Sequence, residues 1–200
     1  MIAIEDSALV LLAAGRSRRF NDGDKLAAPF LDKPLALHVV TALEDLPFKL
    51  RIAVVSATRL EFGPLGFTVV DNPDPSLGQA RSLCLGVERA QAEGARAVLV
   101  ALADMPRVTA AHIHRLFDAS RGDDTIVASS DGERPLPPAL FGANHFAELR
   151  NCQGDHGARD LIRRGRHIVT NPAELVDVDT QEDLAGLRKL YGLPTDVGLC

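Results

Sequence analysis

Three groupings of charged residues, far apart in the chain, have the types and spacing to do chemistry. The first follows a continuously apolar run, residues 8–13. Ala14 and Gly15 carry little or no side chain, and Arg16, Arg18, Arg19 and then Lys25 come after them. Small residues let a ligand reach the backbone, and successive N–H groups there can form an anion-binding nest. The four cations outnumber Asp22 and Asp24, for a local charge of +2 in a chain of −5. This pattern suits a polyphosphate, although a solvated turn would carry the same arginines. It is neither the GxGxxG of dinucleotide folds nor the GxxxxGK[ST] of a P-loop.

The second grouping is Asp104, directly after the apolar run 98–103 and before Met105-Pro106. A carboxylate at the end of a hydrophobic strand is costly without a partner, and a cation is its natural partner. Mg²⁺ takes one or two carboxylates together with phosphate oxygens and water. The alternative use of Asp104 is to cap the turn ahead of Pro106. The third grouping is Asp177-Val178-Asp179-Thr180. In an extended segment, residues i and i+2 share a face, so Asp179 could supply a second metal ligand. Alternatively, Asp179 or Thr180 N-caps the last helix, with Glu182 or Asp183 completing a capping box; the two roles are compatible.

A further basic stretch places Arg150, Arg159, Arg163, Arg164 and Arg166 against Asp155 and Asp160, with Gly154 and Gly157 bracketing Asp155 and His156. It suits an acidic co-substrate, with Arg159 the better candidate for contact. Arg163 and Arg164 suit a solvated helix face equally well. His112 and His114 read as surface residues of a helix, and His38 as structural. No Ser/His/Asp or Cys/His set stands out, so no covalent enzyme intermediate is expected.

The elements that must position these residues alternate along the chain. Strands are expected at 8–13, 51–55, 67–70, 97–102, 125–130, 136–141 and 167–170. Helices are expected at 34–44, 77–92, 109–119 (capped by Thr109), 143–150, 157–164 and 180–191. The cluster Asp71-Asn72-Pro73-Asp74-Pro75 signals a turn. Such alternation implies an α/β fold of three layers, a mostly parallel central sheet with helices on both faces, and ligands at the carboxyl ends of the strands. Two hundred residues suit one domain, 1–200, with a loose tail from about 194. No stretch of 18 apolar residues and no basic leader occurs, so a cytoplasmic protein with no membrane association is expected. The three cysteines are too scattered for a disulfide framework or a zinc site. A net charge of −5, 4% aromatic residues and no Trp argue against nucleic-acid binding.

Taken together the chain resembles the molybdenum cofactor cytidylyltransferases, within the molybdopterin nucleotidyltransferases. The segments that carry the resemblance are Leu12-Ala13-Ala14-Gly15-Arg16-Ser17-Arg18-Arg19 with Asp24-Lys25-Leu26 and Lys33-Pro34-Leu35; Asn72-Pro73-Asp74 with Leu77-Gly78-Gln79-Ala80-Arg81-Ser82-Leu83; Leu102-Ala103-Asp104-Met105-Pro106; Gly154-Asp155-His156-Gly157-Ala158-Arg159; and Asp177-Val178-Asp179-Thr180. They occur in family order and cover nearly the whole chain. The chain departs at Phe20-Asn21, where the family commonly has Met-Gly, in a thinned serine run at Ala80-Arg81-Ser82, and at Pro135-Leu136-Pro137-Pro138, which lacks the family's histidine.

The resemblance implies a nucleotidyltransferase (Rossmann-like) fold and transfer of CMP from CTP to the terminal phosphate of molybdenum-molybdopterin, releasing pyrophosphate. Ala14 favours CTP, because cytidine-using members tend to read Ala-Ala-Gly here and guanosine-using relatives Ala-Gly-Gly. By the same resemblance Lys25, Arg19 and Asp104 are catalytic. Leu12, Ala13, Ala14, Gly15, Arg16, Asn72, Gly78 and Ser82 contact nucleotide. Asp155 and Arg159 face the acceptor. Asp104 and Asp179 hold Mg²⁺, with Mn²⁺ as a substitute. A molybdoenzyme or its maturation chaperone is the implied protein partner. Two alternatives stay open: a guanylyltransferase or a nucleotidyltransferase acting on another small phosphorylated acceptor such as a sugar phosphate, and a non-catalytic nucleotide-binding or cofactor-delivery protein.

Overall fold

The computed structural model describes residues 1–15, 20, 23–154 and 158–194. In chain order its strands are β1 (Ser7–Ala13), β2 (Pro29–Phe30), β3 (Lys33–Pro34), β4 (Leu50–Val55), β5 (Thr68–Asp71), β6 (Ala97–Leu102), β7 (Ile126–Ser130), β8 (Pro135–Gly142) and β9 (Arg166–Val169). Its α-helices are α1 (Leu35–Ala42), α2 (Gln79–Ala92), α3 (Ala110–Asp118), α4 (Phe146–Arg150), α5 (Arg159–Arg164) and α6 (Gln181–Leu190). Each element expected from the sequence pattern is present with ends within two residues, the stretch 143–150 being a 3₁₀ turn that leads into α4.

β1 is buried along its whole length, and its side chains alternate between two cores. Leu9, Leu11 and Ala13 join Ala53, Leu99, Val39, Leu43, Ile113 and Phe117 on one face, beneath α1 and α3. Ala8, Val10 and Leu12 join Val54, Val98, Leu83, Val87, Leu149 and Ile162 on the other, beneath α2, α4 and α5. A strand apolar on both sides belongs at the middle of a three-layer sandwich. The seven-stranded sheet accordingly runs β5-β4-β1-β6-β8-β7-β9. All neighbouring pairs are parallel except β6–β8 and β7–β8, so β8 alone is reversed.

The pairing of β6 with β8 stops at Val100 and Ala139, whereas β7 follows β8 out to Ser130 and Pro135. Pro135, Pro137 and Pro138 have no backbone N–H to continue a ladder. The sheet therefore divides between β6 and β8 near the carboxyl end of β6. Two further pieces were not visible in the sequence pattern. β2 and β3 form a small hairpin, and a third apolar cluster of Phe20, Phe30, Leu35, Val178, Leu184 and Leu187 joins α6 to it. Arg188 of α6 also donates to the Pro29 carbonyl, and Tyr191 meets Phe30 edge-on.

α2 buries Ala80, Leu83, Val87 and Ala90 at helical spacing. It also carries Gly86, where a Cβ would lie 2.4 Å from Val10 Cγ1 and 3.2 Å from Val54 Cγ2. Only a glycine lets the helix lie this close to the central strand. Gly86→Val is expected to lower stability by on the order of 1–3 kcal/mol through overpacking, read as a shift of the urea midpoint. An unshifted midpoint would contradict the close approach.

Candidate active site

The order of the strands reverses at β1, with β4 on one side and β6 on the other, and in open α/β sheets such a switch point opens a crevice at the carboxyl ends. Leu12 lies beside Leu102 in register, and the Ala103 N–H donates to the Leu12 carbonyl at 3.1 Å. The chain leaving β1 through Ala13, Ala14 and Gly15 therefore emerges next to the chain leaving β6 through Asp104. Ala14 is nearly buried, and no described atom lies within 4 Å of where a Cβ on Gly15 would sit.

Between these two exits stands Lys25, on a single 3₁₀ turn, Lys25–Ala27. Asp24 holds that turn with both carboxylate oxygens. Oδ1 accepts from the backbone N–H groups of Leu26 and Ala27, and Oδ2 accepts from Thr58 Oγ1 at 2.8 Å and the Arg59 N–H at 2.7 Å. The Lys25 ammonium, 6% exposed, reaches Asp104 Oδ2 at 2.6 Å and Asp179 Oδ1 at 3.0 Å. Asp104 Oδ1 is buried and has no hydrogen-bond partner among the described residues.

The third segment is fixed from behind. The Val178 N–H donates to the Asp104 carbonyl at 3.0 Å, and the Val178 side chain is fully buried in the α6 cluster. Asp177 and Asp179 flank it on the opposite face, as the two-residue period requires. Thr180 caps α6 in a capping box with Asp183, whose Oδ2 also accepts from the Asp179 N–H at 3.0 Å. Capping and carboxylate presentation thus coexist in one short segment.

Burial pulls the Lys25 pKa down, but Asp104 and Asp179 together outweigh it, so the ammonium holds its proton more tightly than usual. Burial pushes the Asp104 carboxyl up, opposed by Lys25 and reinforced by Asp177 and Asp179, with a net rise. One ammonium therefore does not fully offset the loss of water around Asp104, and a second cation would relieve it. Among the described residues no group of three or more His, Cys, Asp or Glu has metal-binding geometry. The two carboxylates, already gripping a cation, together with one buried oxygen lacking a described partner, fit a hard divalent ion that takes its other ligands from phosphate and water.

The remaining candidate residues fall at the margins. Asn72 and Ser82 are buried and bonded to each other, Asn72 Nδ2 donating to Ser82 Oγ at 2.9 Å, while Asn72 Oδ1 accepts from the Asp74 N–H. They tie the end of β5 to the first turn of α2. Gly78 sits between them at φ +84° and ψ −177°, a backbone conformation restricted to glycine, and turns the chain into α2. Arg159 is exposed at the start of α5, which packs over β7 and β8 rather than over β1 and β6. Arg16, Arg19 and Asp155, and the tail beyond 194, lie outside the described residues.

One expectation is overturned. His112 is not a surface residue: it is 1% exposed, and its Nε2 bonds Ser129 Oγ at 2.7 Å. Ser129 Oγ in turn donates to the Pro138 carbonyl. The hydroxyl has only one proton, so His112 Nε2 must be the donor to it, and burial lowers the imidazole pKa. His112 is a neutral brace between α3 and β7. His38 is structural, as expected, with Nε2 on the Phe30 carbonyl. Sequence reasoning missed the anchoring role of Asp24; its position immediately before the buried Lys25 turn, as an N-cap residue, was the available signal.

The mostly parallel seven-stranded sheet with helices on both faces is the α/β nucleotidyltransferase fold. A nucleotidyltransferase from Methanothermobacter has this fold, with a TM-score of 0.78 at 21% identity over 92% of this chain and 97% of that one. Residues 9–169 match the family model of the MobA-like NTP transferase domain, and the chain belongs to that family. It is 33% identical over 168 residues to a molybdenum cofactor guanylyltransferase of Burkholderia vietnamiensis, covering 80% of this chain and 78% of the relative. It is 29% identical over 199 residues to the purine catabolism protein PucB of Bacillus subtilis, covering 90% and 95% respectively. The Mycobacterium tuberculosis protein Rv0371c, solved as a complex with manganese, has a TM-score of 0.73 at 23% identity over 92% of this chain and 98% of that one.

Asp24→Ala is expected to cost about 1–2 kcal/mol in urea denaturation through loss of the cap and the tie to Thr58 and Arg59. A loss within a few tenths of a kcal/mol would show that the Lys25 turn is held by other means.

Proposed function

We propose that this nucleotidyltransferase moves CMP from CTP to the terminal phosphate of a molybdopterin-type acceptor and releases pyrophosphate. The observation that carries this reading is the Lys25 ammonium held between Asp104 and Asp179 at the carboxyl ends of β1 and β6. An acceptor phosphate oxygen forms a bond to the α-phosphorus, the bond from that phosphorus to the bridging oxygen breaks, and the electron pair leaves on pyrophosphate. This chemistry needs positioning and charge stabilisation rather than a protein nucleophile.

The backbone from Leu12 to Gly15, with Arg16, receives the triphosphate. Lys25 and Arg19 offset charge on the α-phosphate and on the departing pyrophosphate. Asp104 and Asp179 would hold Mg²⁺ or Mn²⁺, which when bound neutralises phosphate charge. The manganese complex of a fold neighbour is consistent with a divalent ion in this fold. Asn72, Gly78 and Ser82 shape the nucleotide side, and Asp155 and Arg159 face the acceptor. Ala14 supports cytidine through the resemblance to cytidine-using members. A guanine-specific enzyme is the second reading, favoured by the relative named as a guanylyltransferase.

Pyrophosphate release with CTP, GTP, ATP and UTP, each with and without molybdopterin, tests both readings. Release that requires CTP and molybdopterin together is the expected result; release with GTP alone among the four moves the assignment to guanine. Asp104→Ala is expected to abolish turnover with the fold retained by circular dichroism, and near-normal activity would remove the metal role. Lys25→Ala is expected to lower kcat by ~10²-fold or more, as for loss of an electrostatic donor. An unchanged kcat would take Lys25 out of the chemistry.

A further inference from the structure

Asp104 and Asp179, the carboxylates assigned above to a divalent ion, are the same two that the Lys25 ammonium grips at 2.6 Å and 3.0 Å. An ammonium and a hard divalent cation compete for the same kind of carboxylate oxygen. Resting on the proposed function, we propose that Lys25 is a tethered counter-cation. In the nucleotide-free protein it occupies the cation position between Asp104 and Asp179, and it moves onto the triphosphate when nucleotide arrives, so that these carboxylates take a metal ion far more tightly with the nucleotide than without it, when the metal must first displace the ammonium.

The surroundings are built for such an exchange. Asp24 fixes the backbone of the Lys25 turn through four hydrogen bonds, which leaves the flexible four-carbon stem as the moving part. The backbone at both aspartates is held independently of the ammonium. The Val178 N–H binds the Asp104 carbonyl, and Asp183 binds the Asp179 N–H. Asp104 Oδ1 has no described partner while Oδ2 is on Lys25, so the carboxylate is only half used by the ammonium.

Electrostatics supply the coupling. Among these three groups, two carboxylates against one ammonium leave a charge of −1, Asp177 adds to the negative field at Asp104, and a divalent ion in place of the ammonium brings the carboxylate pair to zero. A displaced ammonium, however, would be left in a buried site beside a like charge unless an anion took it up. The triphosphate is that anion. Metal without nucleotide must therefore overcome the lysine, whereas metal with nucleotide does not.

The test is direct Mn²⁺ binding, followed by electron paramagnetic resonance in nucleotide-free protein. Lys25→Met is expected to bind Mn²⁺ at least tenfold more tightly than the wild type, although it removes a catalytic group; Lys25→Arg, which keeps a cation there, stays close to the wild type. Equal or weaker binding by Lys25→Met overturns the proposal. A second measurement on the wild type separates displacement from mere repulsion and stands even if Lys25→Met does not fold. In reductive methylation read by peptide mass spectrometry, saturating Mn²⁺ alone is expected to raise modification of Lys25 several-fold. Unchanged modification means that the ammonium has not moved, and overturns the exchange. If Asp104→Ala leaves Mn²⁺ affinity in the presence of CTP intact, the reading of the site itself fails. If that variant loses Mn²⁺ while Lys25→Met gains nothing, only the exchange fails.

Discussion

The ion cluster of Lys25 with Asp104 and Asp179 draws together three parts of the chain that have little else in common: a short turn after β1, the end of β6 and the approach to α6. A buried ammonium with two carboxylates is a poor source of net stability, because the loss of water around the charges roughly offsets their attraction. Breaking it is another matter. Removal of one partner leaves the remaining charges poorly compensated where water is scarce, most of all at Lys25 and Asp104, and less at Asp179, whose side chain is 35% exposed. The three segments are therefore locked to one another through the groups assigned here to the chemistry. The arrangement is characteristic of a site in which geometry outranks stability.

The rest of the architecture serves that lock. β1 and β6 are adjacent and parallel, which sets Gly15 and Asp104 side by side. α1 and α3 cover one face and α2, α4 and α5 the other, and the cluster stands at the carboxyl end of the sheet. The hairpin of β2 and β3 and the cluster around Phe30 and Val178 form a separate small core, whose task is to bring α6 and its leading aspartates against the main sheet. Asp179 is thus positioned by apolar packing on one side of the backbone and by a capping box on the other.

Much of this was legible in the residues. Periodicity gave the seven sheet strands and the helices because both faces of the sheet are buried and the patterns are strong. The i, i+2 relation of Asp177 and Asp179 followed from backbone geometry, and a cap at Asp179 or Thr180 from the residue types; the structure selects Thr180, with Asp183 completing the box. The hairpin was not legible, since its turn is Leu31-Asp32 rather than Asn-Gly, and Leu31 takes a φ of +52° that residues with a side chain rarely adopt. Burial of His112 escaped notice because its partners, Ser129 and the Pro138 carbonyl, are remote in sequence. The grip of one lysine on two carboxylates was equally hidden: spacing can nominate each charge, but only the fold decides which opposite charges meet.

The parting of β8 from β6 beyond Ala139 bears on how such a protein can diversify. A sheet usually offers one continuous rim to whatever binds at its strand ends. Here the rim is cut in two, with Asp104 on one bank and the proline-rich start of β8 on the other. Mutations that reshape the second bank alter no hydrogen bond of the β1–β6 ladder, and so leave the first bank in register. The two banks can therefore change independently of one another, which is the kind of freedom that lets a single scaffold be reshaped on one side without disturbing the other.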